Sequence, residues 1–381
     1  MSAGAGVVAV TFGLARYGYG LLLPDLRAAL QLDSAALGFI ATGSFAAYLA
    51  ATVTSGLLAA RLGPRLLVVT GGALAVLGML IVAAADGAVA LAAGILVAGA
   101  SSGLVYPPFA DAVAHELPAR ARGRALAIIS SGTGWGVLVS VPIALALGAS
   151  WRLAWVAFAV LALLATLWAA RVLRDMPARH SAERLRLSWF ACPRSGPLLA
   201  GALLIGLGSS VYWTFAVDLV AGEGAMSASA ARLVLAVVGA ASLIGAFSGD
   251  LVERLGARPT MLAGTLALSA SFVLIAAAPG SWLAVLPSAL LFGAAYNVLI
   301  AVDAIWSSRV FAGRPATGLA AVMFMLATGL LAGPAAAGVA ATALGLPAAF
   351  LGGAVVVAAT VFLLPREELR QRPALSAAGT G

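Results

Sequence analysis

One residue stands where its chemistry is hardest to hold. Arg16 falls near the middle of the apolar run 5–26. A guanidinium in a lipid-buried helix costs at least about 2.5–3.5 kcal/mol on insertion scales, so it needs a wet cavity or a partner. No acidic residue lies at comparable depth in the apolar segments. Asp25 and Asp218 lie near segment ends, as do Asp111 and Asp303. An unpaired guanidinium suits an anion, because its planar fork matches carboxylate or phosphate. The competing reading is structural: Arg16 snorkels, or bonds to Ser130, Ser131 or Tyr106. Helical spacing puts Phe12, Arg16, Tyr19 and Leu23 on one stripe.

Other chemistries find no support. No G-x-x-x-x-G-K-[ST] phosphate loop occurs, and no Ser-His-Asp grouping is visible. The chain has one cysteine, Cys192, and two histidines, His115 and His180, in expected loops. We therefore expect no disulfide within the chain, no metal site, no cofactor and no enzyme activity. The net charge of +8 comes entirely from arginine. Those arginines stand in short clusters between apolar runs, which fits membrane orientation and not nucleic-acid binding.

The elements that must position Arg16 follow from composition. The 381 residues are 62% hydrophobic and only 9% charged, too apolar for one soluble core. Twelve apolar segments are long enough to span a bilayer: 5–26, 34–60, 66–85, 88–114, 122–147, 151–173, 197–220, 228–252, 259–278, 283–307, 316–342 and 346–365. Asp33 and Ser34 can cap the second. The polar stretch 174–196 divides six from six, and 366–381 forms a tail. Arginine crowds the even-numbered connections and the tail, while the odd-numbered ones hold few. The positive-inside rule then places both termini in the cytoplasm.

The chain also repeats itself. "SGLLAARLGPR" begins at Ser55 and "SGDLVERLGAR" at Ser248, 193 positions later and about half the chain. The same offset aligns Gly13 with Gly206, Tyr19 with Tyr212, and Asp25 with Asp218. Arg16 aligns with Ser209, so the deep charge exists in one half only. Two six-helix halves in parallel repetition are the expected architecture: bundles 1–173 and 197–365, each in the same register.

Twelve helices as six plus six, with G-x-x-x-[acid]-R-x-G-x-R after helices 2 and 8, resemble the major facilitator superfamily. The phrase "GLARYGYGLLLP" from Gly13 is similar to its YbfB/YjiJ-like branch. The resemblance implies an all-α polytopic membrane protein, two pseudo-symmetric bundles with a cavity lined by helices 1, 4, 7 and 10. It implies that Tyr106, Ser209, Tyr212, Trp213, Tyr296 and Asn297 join Arg16 and Tyr19 as solute contacts. It gives the repeated phrase a latch role. Gly56 and Gly249 would allow close helix approach, and Arg61, Arg65, Arg254 and Arg258 would meet carboxylates and helix ends. Glu253 keeps the motif's acid; Ala60 replaces it in the first copy. Asp111 and Asp303, offset by 192, are read as partners of the loop arginines, with proton carriage as the alternative. Helix 5 keeps Gly132, Gly136 and Pro142 for close packing but lacks the double glycine of antiporters.

The implied function is secondary transport of a small organic solute by alternating access, with an anion suggested by Arg16 and a proton as coupling partner. The implied setting is a monomer in the bacterial inner membrane. Two alternatives stay open: an efflux transporter for hydrophobic compounds, and a sensor or scaffold that keeps the fold without flux.

Overall fold

A computed structural model describes residues 2–116, 118–147, 150–173, 195–311 and 315–365. Most of the linker 174–196 and all of the tail 366–381 lie outside the described residues. No strand occurs among the described residues, and the chain folds into twelve helical segments. Nine are long and apolar enough to cross a membrane, and three shorter apolar stretches, Ser2–Leu14, Ser131–Ala146 and Ala228–Ile244, complete the set. Large apolar side chains face outward throughout; Val89, Leu283 and Phe362 are 86%, 90% and 90% exposed. Lipid is the solvent that tolerates such a surface.

Helix 1 is broken into four pieces: Ser2–Val8, a π-helical turn Ala9–Leu14, then Gly18–Leu21 and Leu23–Leu30. Helices 2 and 3, Ser34–Ala59 and Arg61–Ala83, run on from one another around a kink. The Asp33 carboxylate accepts a bond from the Ala36 amide at 2.7 Å, which caps helix 2 as expected. Helices 4 to 6 are Ala88–Glu116, Ala119–Ala146 and Trp151–Val172. Helix 7 is Ser195–Gly222. Helix 8 begins as Ala228–Ala241, passes through a 3-10 stretch Ser242–Phe247 and ends as Ser248–Leu255. Helices 9 to 11 are Ala257–Ala277, Trp282–Val310 and Pro315–Leu344. Helix 12 is Leu346–Ala358 with a 3-10 end, Ala359–Leu363.

The repeat is visible in the backbone. The kinks after helices 2 and 8 both turn on a glycine with positive φ, Gly63 at 74° and Gly256 at 92°, again 193 positions apart. Only glycine takes that conformation without strain. Helix 1 lies against helix 5 with Gly13 on Gly136; helix 7 lies against helix 11 with Gly206 on the Leu326 carbonyl. Gly136 and Gly329, equivalent by the same offset, each approach a carbonyl of the facing helix, Ala9 or Leu203, too closely to admit a Cβ. Small residues let backbones meet where no hydrophobic force drives helices together. This is the close contact expected of Gly132 and Gly136.

The two halves meet at one end. Gly38 of helix 2 packs on Pro334 and Gly338 of helix 11, and the Thr42 hydroxyl accepts from the Ala335 amide at 3.0 Å. Helix 5 meets helix 8 through Val137 and Gly239. Helix 1 meets helix 7 where Gly20 abuts the Trp213 carbonyl. All three seams lie towards the connections 1–2, 5–6, 7–8 and 11–12. Towards the repeated phrase, no hydrogen bond or ion pair joins the halves between described residues.

Candidate functional site

Arg16 sits in the break of helix 1, directly after the π turn. There the backbone bonds run i to i−5, Ala15 to Val10 at 2.9 Å and Tyr17 to Phe12 at 3.1 Å. Such turns are uncommon and frequent at functional sites. Irregular backbone at membrane depth survives only where it is buried in protein or lines a cavity. Here it does both: Arg16 is 8% exposed, and it borders a small cavity between helices 1, 2 and 7.

The guanidinium has no ionic partner among the described residues. Its Nε and Nη2 atoms are buried and make no hydrogen bond. Rings surround it instead. Its central carbon lies 4.0 Å from the Tyr48 ring centre, 4.5 Å from Phe45, 5.7 Å from Phe12 and 5.9 Å from Tyr17. Each desolvated cation–π contact is worth up to about 2 kcal/mol, which offsets part of the burial cost. It satisfies no N–H. The polar edge of the fork therefore remains available to an acceptor. The cavity beside it, about 20 Å³, has room for a water and is too small for a metabolite.

Several expected contacts converge there. Tyr19 and Trp213 line the same cavity as Arg16, with Tyr17, Ser44, Phe45 and Thr214. The Tyr19 hydroxyl donates to the Leu37 carbonyl at 2.8 Å. Trp213 of helix 7 packs on Tyr17 of helix 1 across the seam, centroids 4.3 Å apart, and meets Tyr296 edge-on at 6.0 Å. Tyr106 stands edge-on to Phe12 at 6.3 Å. Asn297 donates to Gly293 in its own helix at 3.1 Å.

Other expectations need correction. Tyr212 is not a wall of the cleft. It is fully buried inside the second half, stacked on Phe292 at 3.9 Å and bonded to the Ser288 hydroxyl at 2.9 Å. Helix 7 is buried on nearly every face, so its stripe carries no information about the cleft. Ser209 is also fully buried, with no partner for its hydroxyl, and does not line the Arg16 cavity. Gly56 makes no close approach: a side chain there would meet nothing within 4 Å. Among the described residues, no hydrogen bond or ion pair joins the halves at that end.

Arg61, Glu253, Arg254 and Arg258 are exposed and form no ion pair among the described residues. Arg65 donates to the Ala170 carbonyl at 3.1 Å, at the C-terminal end of helix 6 within its own half. Asp303 is 1% exposed, with Oδ1 unbonded, and no arginine among the described residues pairs with it in this conformation. The side-chain surroundings of Asp111 and Gly249 lie outside the described residues.

Two ion pairs at the clasped end are not foreseen by the sequence. Asp25 of helix 1 accepts two bonds from Arg232 of helix 8, at 2.8 and 2.9 Å. Arg232 is 1% exposed and also donates to the Ala144 carbonyl of helix 5 at 2.7 Å. Arg27 of helix 1 grips both oxygens of Asp218 of helix 7 through one guanidinium edge, with Nε donating to Oδ1 at 3.0 Å and Nη2 to Oδ2, and Nη2 also donates to the Ser34 hydroxyl. Asp25 and Asp218 are repeat equivalents. Each half thus presents its own aspartate and receives an arginine from the other. The signal that could have found them is charge complementarity between helix ends, Asp25 and Arg27 against Asp218 and Arg232. No group of three or more histidine, cysteine, aspartate or glutamate residues able to hold a metal ion occurs among the described residues.

Comparison with known proteins places this geometry. The profile of the Major Facilitator Superfamily matches residues 5–191 and 198–380. No curated protein matches the chain. Among solved structures, a point mutant of the nucleoside transporter NupG superposes with a TM-score of 0.80 at 14% identity, over 95% of this chain and 98% of that one. A bacterial homolog of the human lysosomal transporter Spinster, inward-facing and unoccupied, gives 0.73 at 16%, over 95% and 93%. A D-xylose-proton symporter gives 0.72 at 16%, over 95% and 97%. The chain belongs to the Major Facilitator Superfamily and is a multi-pass membrane transporter, not an enzyme.

Proposed function

We propose that this transporter carries a small organic anion between its two halves, residues 1–173 and 197–365, by alternating access. The carrying observation is Arg16: a caged, unpaired guanidinium whose hydrogen-bonding edge is unfilled, in the break of a discontinuous helix at the seam. A carboxylate on that edge gains two charge-assisted bonds without displacing a protein partner. Arg16 hydrogen-bonds to neither Ser131 nor Tyr106, and the rings that cage it fill none of its N–H groups, which favours the anion reading over the structural one.

The clasped end faces outward in this reading, and the arginine-rich connections and both termini face the cytoplasm of a bacterial inner membrane. The conformation is then closed outside and parted inside, and the repeated phrase engages in the opposite state. The linker 174–196 and tail 366–381 are cytoplasmic, the unit is a monomer, and a proton gradient supplies the drive. Asp303 is the carboxylate best suited to the proton, because it is buried with no cation beside it among the described residues.

The test is uptake into proteoliposomes. Arg16→Ala should lower carboxylate uptake about ten- to hundredfold, the loss of a buried charge-assisted pair at about 1.5–3 kcal/mol. Arg16→Lys should fall between, keeping charge and losing the fork. Undiminished carboxylate uptake in correctly folded Arg16→Ala refutes the anion reading. Efflux of apolar cations that persists in that variant would favour the hydrophobic-efflux alternative.

A further inference from the structure

Building on the anion reading of Arg16, we infer that the solute is an aromatic carboxylate that carries no amino group. The inference rests on what surrounds the guanidinium and on what is missing from its reach.

Rings form the walls. Helix 1 supplies Phe12 and Tyr17, helix 2 supplies Tyr48, and helix 4 supplies Tyr106. From the other half come Trp213 and Tyr296. They form two groups joined through Arg16: Phe12 meets Tyr48 and Tyr106, Tyr17 meets Trp213, which meets Tyr296, and the guanidinium lies over Phe12, Tyr48 and Tyr17. Arg16 lies against rings of helices 1 and 2, and Trp213 of the other half lines its cavity, so groups from both halves gather around one cation. Phe12, Tyr17, Tyr48 and Tyr106 are half-buried and keep part of their rings uncovered. Offset or edge-on packing with a flat solute is the contact such walls favour.

The polar inventory is as selective. A carboxylate finds a guanidinium fork and phenolic donors. An ammonium finds no unpaired acid at the Arg16 cavity: Asp25 is committed to Arg232 and Asp218 to Arg27, and the unpaired Asp303 of helix 10 lies about two turns beyond Tyr296. A sugar or nucleoside needs amides or carboxylates to take its hydroxyls. The one amide among the expected contacts, Asn297, gives one N–H to its own helix and leaves its Oδ1 and second N–H, too few for several hydroxyls. A buried polar group left unpaired weakens binding, so this site rejects amines and polyols by omission.

Four small probes separate these claims: phenylacetate, hexanoate, phenylalanine and phenethylamine. Each is titrated against the purified full chain, read by thermal shift and tryptophan fluorescence. Phenylacetate should bind about tenfold tighter than hexanoate, the upper range of aromatic pairing beyond area. Phenylalanine should bind at least about tenfold more weakly than phenylacetate, since its ammonium goes unpaired. Trp213→Leu should bring phenylacetate down to the level of hexanoate, and Arg16→Gln should weaken both. Equal binding of phenylacetate and hexanoate, both sensitive to Arg16→Gln, overturns the aromatic inference and leaves the anion reading standing. Phenylalanine binding as tightly as phenylacetate overturns the exclusion of amines. Preference for phenethylamine, carboxylate binding indifferent to Arg16→Gln, or binding of no probe overturns this inference together with the anion reading.

Discussion

Replacing Asp25 with asparagine should release the clasped end. Arg232 is 1% exposed and loses both bonds to Asp25, keeping only the Ala144 carbonyl. Breaking a buried pair by removing one partner costs about 3–5 kcal/mol, because an uncompensated charge stays behind. The retained carbonyl and the partial exposure of Asp25 argue for less, about 2–3 kcal/mol. In the alternate state of the proposed cycle the halves would part at this end, so the pair would already be broken and the substitution would cost little. The ratio of open to closed at the clasped end should then rise about 30- to 150-fold. The assay is thiol labelling in a Cys192→Ser, Ser44→Cys background. Ser44 is 7% exposed and lines the Arg16 cavity beneath the clasp. An impermeant reagent added from the clasped side modifies it only when that end opens. The ratio comes from the labelling rate relative to its saturating value. Removing both partners, Asp25→Asn with Arg232→Gln, should disturb the ratio less than Asp25→Asn alone, because no orphan charge remains. A ratio unchanged within about twofold in folded Asp25→Asn refutes the clasp. So does a double variant whose shift equals the sum of its singles.

Three further outcomes follow from the same geometry. Gly136→Ala pushes a Cβ into the Ala9 carbonyl of helix 1 and should lower stability by about 1–3 kcal/mol, read as a fall in Tm in detergent; an unchanged Tm means helices 1 and 5 do not pack this way. Gly56→Leu meets open space here and should leave Tm unchanged, yet slow transport severalfold if the phrase closes in the other state; full transport would remove Gly56 from the latch. Asp303→Asn keeps the shape of a buried, unpaired acid and removes its proton. It should abolish uphill uptake driven by ΔpH while solute exchange continues; surviving ΔpH-driven uptake places the coupling proton elsewhere.

What the sequence discloses, it discloses through repetition. The offset of 193 reappears in the positive-φ glycines 63 and 256, in the glycine contacts of helices 1 with 5 and 7 with 11, and in Asp25 and Asp218. Those features are local or depend on residue size, and period and composition encode both. The features that escape are relational. Nothing in the apolar run Ala9–Leu14 announces a π turn, since its residues fit an ordinary helix equally well. Phe45 and Tyr48 cage Arg16 from helix 2, and a cation–π partner on another helix leaves no mark in sequence spacing. Spacing alone misplaces Tyr212, because a helix buried on all sides has no polar face to reveal its orientation. Gly56 departs from expectation for a different reason. A duplicated motif reports what both states of a transporter need, and one conformation realises only half of it. The clasp makes that asymmetry concrete. The four charges that join helices 1, 7 and 8 are partnered here while Arg61, Arg254 and Arg258 form no ion pair among the described residues, and the proposed alternating access would have the two sets exchange those conditions.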